Sequence, residues 1–332
     1  MKSKTPLKTK IKISNASMLI AIAMLIVMFV AGANIYDRFG QISTVMNLFN
    51  DNAYLIVVAV GMTFVLLTGG IDISVASTLA FTGVFSAFLL EKGWPAFVMI
   101  PLVLAIGTFV GFLQGYAIHT FKIAPFLVTL AGQFLMRGMC AVISTVSIPI
   151  NDEFFKAAAL GKISWKMSSG GTAKLYYYVF VALAVLVIAW FVLKYTRFGR
   201  AVYAVGSSEQ SAQYMGLNVS GVKIGVYAIS GFCAALGGVL FSFYTLAGYS
   251  LQNMGLELDA ISSAVIGGTL LTGGVGTVIG SMIGVLIQGI IQTLVTYQNL
   301  NTWWTKVTIA AIMCFFILIQ RIIAIRAEKK KA

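Results

Sequence analysis

Leu66-Leu67-Thr68-Gly69-Gly70 recurs unchanged as Leu270-Leu271-Thr272-Gly273-Gly274. Each copy closes one apolar run just before another begins. A Gly pair between two membrane-length runs is where backbone can unwind, approach a neighbour closely, or restart a helix after a short turn. The repeat therefore predicts two related helix-break-helix units inside a polytopic membrane protein, with Gly69, Gly70, Gly273 and Gly274 at the breaks.

The surrounding composition supports this. Of 332 residues, 59% are hydrophobic and only 10% charged, with a mean hydropathy of +0.93. Soluble domains carry about 25% charged residues, so most of this surface must meet lipid. Apolar runs fall near 16–33, 50–68, 74–90, 95–118, 125–146, 175–194, 222–246, 258–272, 275–297 and 303–320. At roughly 20 residues per span, the chain has room for about ten crossings and little else. The expected fold class is all-α: a polytopic membrane helix bundle of ten transmembrane helices, a single domain over residues 1–332. The first run lacks a small-residue cleavage site and reads as a retained helix. The 258–272 run is short for a span, so it is tilted, broken or partly re-entrant.

Ten crossings place both termini on one side, and charge says which. Fifteen of the 23 lysines and arginines fall in the termini and alternate connections, against only Asp72, Glu209 and Glu328. The other connections balance seven basic with seven acidic residues. The positive-inside rule then puts both termini in the cytoplasm, with the chain in the cytoplasmic (inner) membrane. The net charge of +13 is a topology signal, and no nucleic acid partner is needed to explain it. Residues 147–174, with Pro149 and Ser168-Ser169-Gly170-Gly171, form the main outer loop, and 195–221 the main cytoplasmic loop. Trp94, Tyr176, Tyr177, Tyr178, Trp303 and Trp304 cluster at outer boundaries, as aromatic belts do.

Catalytic motifs are missing. There is no Gly-x-x-x-x-Gly-Lys-Ser/Thr phosphate loop, no His-Glu-x-x-His pair and no Gly-x-Ser-x-Gly elbow. His119 has no carboxylate close in sequence with which to hold a metal. Cys140, Cys233 and Cys314 are widely spaced in apolar runs, as small buried hydrophobes are. The chain is therefore expected to be no enzyme, with no catalytic residue, metal or cofactor of its own.

Polar groups inside a bilayer are costly and need partners. Gln133 and Arg137 are four residues apart, as are Gln288 and Gln292, so each pair shares a helix face. Gln114 lies in another span. These five either line a pathway for a hydroxyl-rich solute or hydrogen-bond between helices, the second being preferred. Asp72 reads as a cap for the helix beginning near Ser74, and Glu257 and Asp259 sit at another helix entrance. Glycine stripes at Gly107, Gly111 and Gly115, and at Gly276, Gly280 and Gly284, predict close helix packing.

In the cytoplasmic loop, Ser207-Ser208-Glu209-Gln210-Ser211-Ala212-Gln213-Tyr214-Met215-Gly216 reads as a short capped helix. Ser207 is placed to accept from the Gln210 amide while Gln210 reaches back, and Gly216 supplies the left-handed ending. Asn218 and Ser220 offer caps for the next span. Such a helix either docks a partner, through Ser207, Ser208, Glu209, Gln210, Met215 and Gly216, or is an ordinary surface loop.

Several segments keep one order along nearly the whole chain. They are Gly69-Gly70-Ile71-Asp72-Ile73-Ser74-Val75, Pro125-Phe126-Leu127-Val128-Thr129-Leu130 and Arg137-Gly138. Arg197-Phe198-Gly199-Arg200 follows, with Val205-Gly206 and Gly216. Leu258-Asp259-Ala260-Ile261 then leads through Val265-Ile266-Gly267-Gly268-Thr269 to Gly273-Gly274-Val275-Gly276. This order resembles the membrane subunit of ribose-type sugar ABC importers, a family related to branched-chain amino acid permeases. A narrower resemblance, to a galactofuranose-importer permease, rests on Asp51-Asn52-Ala53, Ala80-Phe81-Thr82-Gly83-Val84-Phe85 and Ser147-Ile148-Pro149-Ile150-Asn151. Gln288-Gly289, Ile291-Gln292-Thr293 and Trp303-Trp304-Thr305-Lys306 extend it. Ala76 departs from a glycine usual in the family, and Ser207-Ser208 from a common Gly-Asn.

The resemblance implies a permease that translocates a sugar handed over by an extracytoplasmic binding protein. It further implies two ABC ATPase subunits, which hold the ATP and Mg, and a second permease chain in a homo- or heterodimer. The galactofuranose resemblance implies the heterodimer. The 207–216 helix would then transmit ATPase closure to the spans. An ion-coupled secondary sugar carrier is the alternative from another class, as is an ABC permease for branched-chain amino acids or another small polar solute.

Overall fold

Each apolar run supplies one helix, though not always along its whole length, in the computed structural model, which describes residues 7–37, 39–166, 172–301 and 303–329. The order begins α1 (Leu7–Ile35), α2 (Ile42–Leu67), α3 (Val75–Glu91), α4 (Ala96–Thr120) and α5 (Pro125–Ile143). Then come β1 (Ile148–Pro149), α6 (Glu153–Leu160), β2 (Lys162–Lys166), β3 (Thr172–Tyr176), α7 (Tyr177–Tyr195), α8 (Arg197–Ser207) and α9 (Glu209–Tyr214). The chain finishes with α10 (Val219–Thr245), β4 (Ala247–Gly248), α11 (Leu256–Ile266), α12 (Val278–Tyr297) and α13 (Trp303–Lys329).

Among the described residues, seven helices are long and apolar enough to cross a membrane: α1 from Ser17 onward, α2, α4, α5, α7, α10 and α12. α3 and the apolar Trp303–Leu318 part of α13 are shorter. α11 has 11 residues. At 1.5 Å per residue it rises roughly 16 Å, about half of a hydrocarbon core. The 258–272 run is therefore broken, its second half being irregular backbone. α2 begins ahead of the 50–68 run and carries polar residues inside a helix. Asn50 makes this tolerable: its Nδ2 donates to Lys174 O at 2.8 Å and its Oδ1 accepts from Tyr176 N at 3.1 Å. The side chain completes the edge of β3.

Burial separates the helices more sharply than hydropathy does. The apolar window of α2 is 89% buried at mean hydropathy 1.6, whereas that of α4 is 28% buried at 2.4. Lipid is as apolar as leucine, so hydropathy does not sort the helices: α5, at 1.7, is only 17% buried, and close backbone packing selects the centre. α10 packs against α2, α3 and α4. A methyl on Gly111 would overlap the Tyr227 carbonyl oxygen, and one on Gly107 the Ala235 methyl, so the α4 and α10 backbones touch. The second stripe closes α12 against α11 and the segment after it, with Gly280 on Gly267 and Gly284 on the Ser263 carbonyl. The first stripe packs as its spacing predicts; in the second, Gly276 lies ahead of α12 and faces Thr269, so only Gly280 and Gly284 share the helix.

Two small antiparallel sheets sit at the end of the bundle away from α8 and α9. One pairs β1 with β4, Ile148 opposite Gly248 and Pro149 opposite Ala247. The other is the hairpin of β2 and β3, from Lys162 opposite Tyr176 to Lys166 opposite Thr172. The long 147–174 connection is thus partly structured, with α6 capped by Asp152, whose Oδ1 accepts from Phe155 N at 2.7 Å. Ser168-Ser169-Gly170-Gly171 lies outside the described residues. Cys140 and Cys233 are buried, but Cys314 is exposed. The expectation of three buried cysteines fails at Cys314 because α13 packs on one side only.

Candidate functional site

The two Leu-Leu-Thr-Gly-Gly copies meet. In the first, α2 ends as Gly69 takes φ +79, and Gly70 N donates back to Val65 O at 3.2 Å. That is a left-handed helix ending. The second copy behaves differently. α11 has already stopped at Ile266, and Leu270 to Val275 close a loop in which Leu270 N donates to Val275 O at 3.0 Å. Gly273 and Gly274 have φ +75 and +82, a region that favours glycine. The expected second helix-break-helix thus holds a tight loop instead of a helix cap. Gly274 N donates to Leu67 O at 2.8 Å, which joins the two copies directly.

α8 is seated on this junction. A methyl on Gly206 would overlap the Leu67 carbonyl oxygen and crowd Gly274 N. Tyr203 Oη donates to Gly276 O at 2.8 Å. Burial pushes the Tyr203 phenol up to about 12, so it remains a donor well above neutral pH. Ser207 belongs to the last turn of α8, where its Oγ donates to Tyr203 O at 2.9 Å. It therefore does not cap the next helix. Ser208, extended at φ −163, does so, accepting from Ser211 N at 3.4 Å and Ser211 Oγ at 2.9 Å. Gln210 is accordingly one position too early to close a capping box.

The rest of this segment follows its reading. Gly216 has φ +75, and Leu217 N donates to Ala212 O at 3.1 Å. Asn218 Oδ1 accepts from Gly221 N at 2.8 Å at the start of α10; Ser220 lies inside the helix. Glu209 Oε1 pairs with Lys223 Nζ at 2.7 Å, tying α9 to α10. α9 buries Ala212 and presents Tyr214 and Met215, 90% and 68% exposed. Beside it a cavity of about 1050 Å³ opens, lined by Gly69, Gly70, His119, Lys122, Gln213 and Lys223 among others.

The five polar residues offered as a pathway fall in three places. Gln114 is buried beside Ser74, whose Oγ stands 3.1 Å from the Gln114 side-chain amide and 2.7 Å from Asp72 Oδ1. Asp72 accepts from Ser74 N at 3.0 Å and from Ser230 Oγ of α10 at 2.7 Å. Ser74 is itself the N-cap of α3 and makes no side-chain capping bond, so Asp72 forms a turn just ahead of the helix and not the expected cap. It is a buried latch between the first break and α10. Gln133 reaches Glu257 Oε1 at 3.4 Å, and Arg137 donates to the carbonyls of Ser250 and Gln252 at 2.7 and 3.1 Å. Gln288 Nε2 donates to Asp259 O at 3.0 Å. Gln288 and Gln292 both line a cavity of about 160 Å³ that also touches Tyr54, Asn253, Thr305 and Lys306.

No continuous seam links these groups, because the start of α11 divides them. Glu257 faces α5, while Asp259 pairs with Lys306 of α13. Sequence reasoning missed Lys306, Thr305 and Asn253 as neighbours of Gln288. The one available signal was the opposite charge of Asp259 and Lys306 at the ends of two apolar runs. Among the described residues, no cluster of three His, Cys, Asp or Glu side chains is placed to hold a metal.

Residues 44–317 match the family described as branched-chain amino acid transport system / permease component. The chain is 42% identical to the inner membrane ABC transporter permease protein YjfF of Escherichia coli K12, covering 96% of each. It is 36% identical to the fructose import permease protein FruG of Bifidobacterium longum, over 94% of this chain and 93% of the other. Identity to the ribose import permease protein RbsC of Haemophilus influenzae is 33%, over 89% and 90%. No solved structure matches the chain. With the helical bundle and the two joined breaks, these matches make the chain a member of the branched-chain amino acid transport system permease family, among its ribose-type sugar ABC permeases: a multi-pass inner-membrane transport subunit and not an enzyme.

Proposed function

We propose that residues 1–332 form one permease unit that pairs with a second permease chain, identical or different, to enclose a route for a monosaccharide. Relatives named for ribose, fructose and galactose import support a sugar as cargo. The segments around Asn52, Thr82, Pro149, Gln292 and Trp304 favour galactofuranose and, with it, a heterodimer. Two ATPase subunits carry the ATP and Mg, and an extracytoplasmic binding protein delivers the sugar. This chain holds no cofactor and takes no nucleic acid. Charge places both termini and the 195–221 loop in the cytoplasm, the 147–174 loop outside, and all ten apolar helices in the membrane.

One observation carries the mechanism: α8 rests on the contact between Leu67 and Gly274, while the tip of α9 stands exposed. A push on Ser208, Glu209, Gln210, Met215 or Gly216 then reaches both breaks at once. The bundle moves between inward and outward access as a two-state element, biased by ATP and by the loaded binding protein. The test is to purify the chain with its partner subunits, reconstitute them in proteoliposomes and offer a panel of pentoses and hexoses. ATP-dependent uptake of a monosaccharide, with sugar-stimulated ATP hydrolysis, is the expected result. Uptake that follows a proton gradient and ignores ATP would overturn it.

A further inference from the structure

We propose that the smaller cavity, between α2, α11, α12 and α13, is a binding site for one neutral polyhydroxylated molecule of about monosaccharide size, complete within a single chain. Its volume of about 160 Å³ is roughly the share of five liquid waters. Gln288 and Thr305, 3% and 6% exposed, both line it. The Gln288 NH₂ donates one hydrogen to the carbonyl of Asp259. A carbonyl only accepts, so the amide orientation is set and Gln288 Oε1 is left without a donor. Thr305 Oγ1 and Asn253 Nδ2, of residues that line the same cavity, are likewise buried with no partner among the described residues. Three such groups around one cavity are costly unless something fills it.

The chemistry of the wall selects the occupant. It offers a free acceptor on Gln288, a free donor on Asn253, and on Thr305 a group that does both. A hydroxyl is the simple group that answers all three. Asp259 and Lys306 neutralise one another on the wall, so an ionic ligand finds no counter-charge. Tyr54, Leu55 and Met254 supply an apolar side against which a sugar ring's C–H face can lie. The cavity lies at the start of α11 and α13, toward the sheet-bearing end of the bundle. That the sugar arrives from that end rests on the import reading; the chemistry of the site does not.

The experiment uses the full complex in nanodiscs, without nucleotide or binding protein. Saturation-transfer NMR is recorded with ribose, fructose, galactose and, as a charged polyol, gluconate. Saturable transfer to at least one sugar and none to gluconate is expected. Gln288→Leu and Thr305→Val should each weaken it about tenfold or more. Absence of transfer to all three sugars would mean a cavity filled by water alone and would overturn the proposal. So would unchanged affinity in both variants, or equal binding of gluconate. If Gln288→Leu fails to assemble, the shape-conserving Thr305→Val decides. ATP-driven uptake by the same complex separates the two readings. Uptake with no loss of binding in the variants ends this proposal alone; binding without any ATP-driven uptake ends the import reading alone.

Discussion

At Gly206 there is no room for even one carbon more, since the Leu67 carbonyl and the Gly274 amide already occupy the space. Gly206→Ala must lift α8 from the junction, and overpacking of this kind costs about 1–3 kcal/mol. A lower thermal midpoint of the solubilised complex and weaker sugar stimulation of ATP hydrolysis are expected; if neither changes, the seat is not tight. Gly216 poses a different problem, because open space surrounds it and the demand is on φ alone, +75. Gly216→Val should cost roughly 1–2 kcal/mol of left-handed strain and uncouple hydrolysis from uptake, whereas Gly216→Asn should retain most coupling. Full transport by the valine variant would count against the lever. Both glycines stand in the sequence as ordinary small residues. Only Gly216, just after a capped polar stretch, could be assigned its role from local pattern, because Gly206 owes its role to two segments remote in the chain.

Among the elements, α9 shows how far local chemistry reaches and where it slips. The short helix and its left-handed ending were readable from the residues, but the boundary lay one residue later than the pattern suggested. Two adjacent serines compete for the cap, and the choice falls to Ser208 because α8 runs on through Ser207. Ser208→Ala should therefore remove about 1 kcal/mol from α9, visible as faster hydrogen exchange of the Glu209–Tyr214 amides. Ser207→Ala, losing only a bond back to its own helix, should leave that exchange nearly unchanged. Equal acceleration in both would return the cap to Ser207. The Leu-Leu-Thr-Gly-Gly repeat teaches a related point. Identical residues end a helix in one copy and close a loop in the other, since α11 stops before Leu270 and α2 runs to Leu67.

For the whole molecule, the sharpest claim is sidedness, and it can be checked from either side of the membrane. With Cys314, which is exposed, replaced by serine, single cysteines are introduced as Tyr214→Cys on α9 and Trp165→Cys on the β2–β3 hairpin, both exposed positions. A membrane-impermeant maleimide should label Trp165→Cys in intact spheroplasts and Tyr214→Cys only in inside-out vesicles; the reverse pattern would sink the proposed orientation. Hydropathy and the scarcity of charge by themselves determined a helical membrane bundle, because lipid admits little else from a chain this apolar. Helix ends at Gly69 and Gly216, and the close packing of Gly107, Gly111 and Gly115, also followed from residue chemistry at short range. Which helices form the centre was decided only by tertiary structure, since lipid and protein interior reward apolar side chains alike and a run's hydropathy cannot tell them apart. The same holds for the meeting of the two breaks under α8 and for the separation of Gln288 from Gln133 by α11: each depends on contacts between residues distant in sequence, which no local pattern encodes.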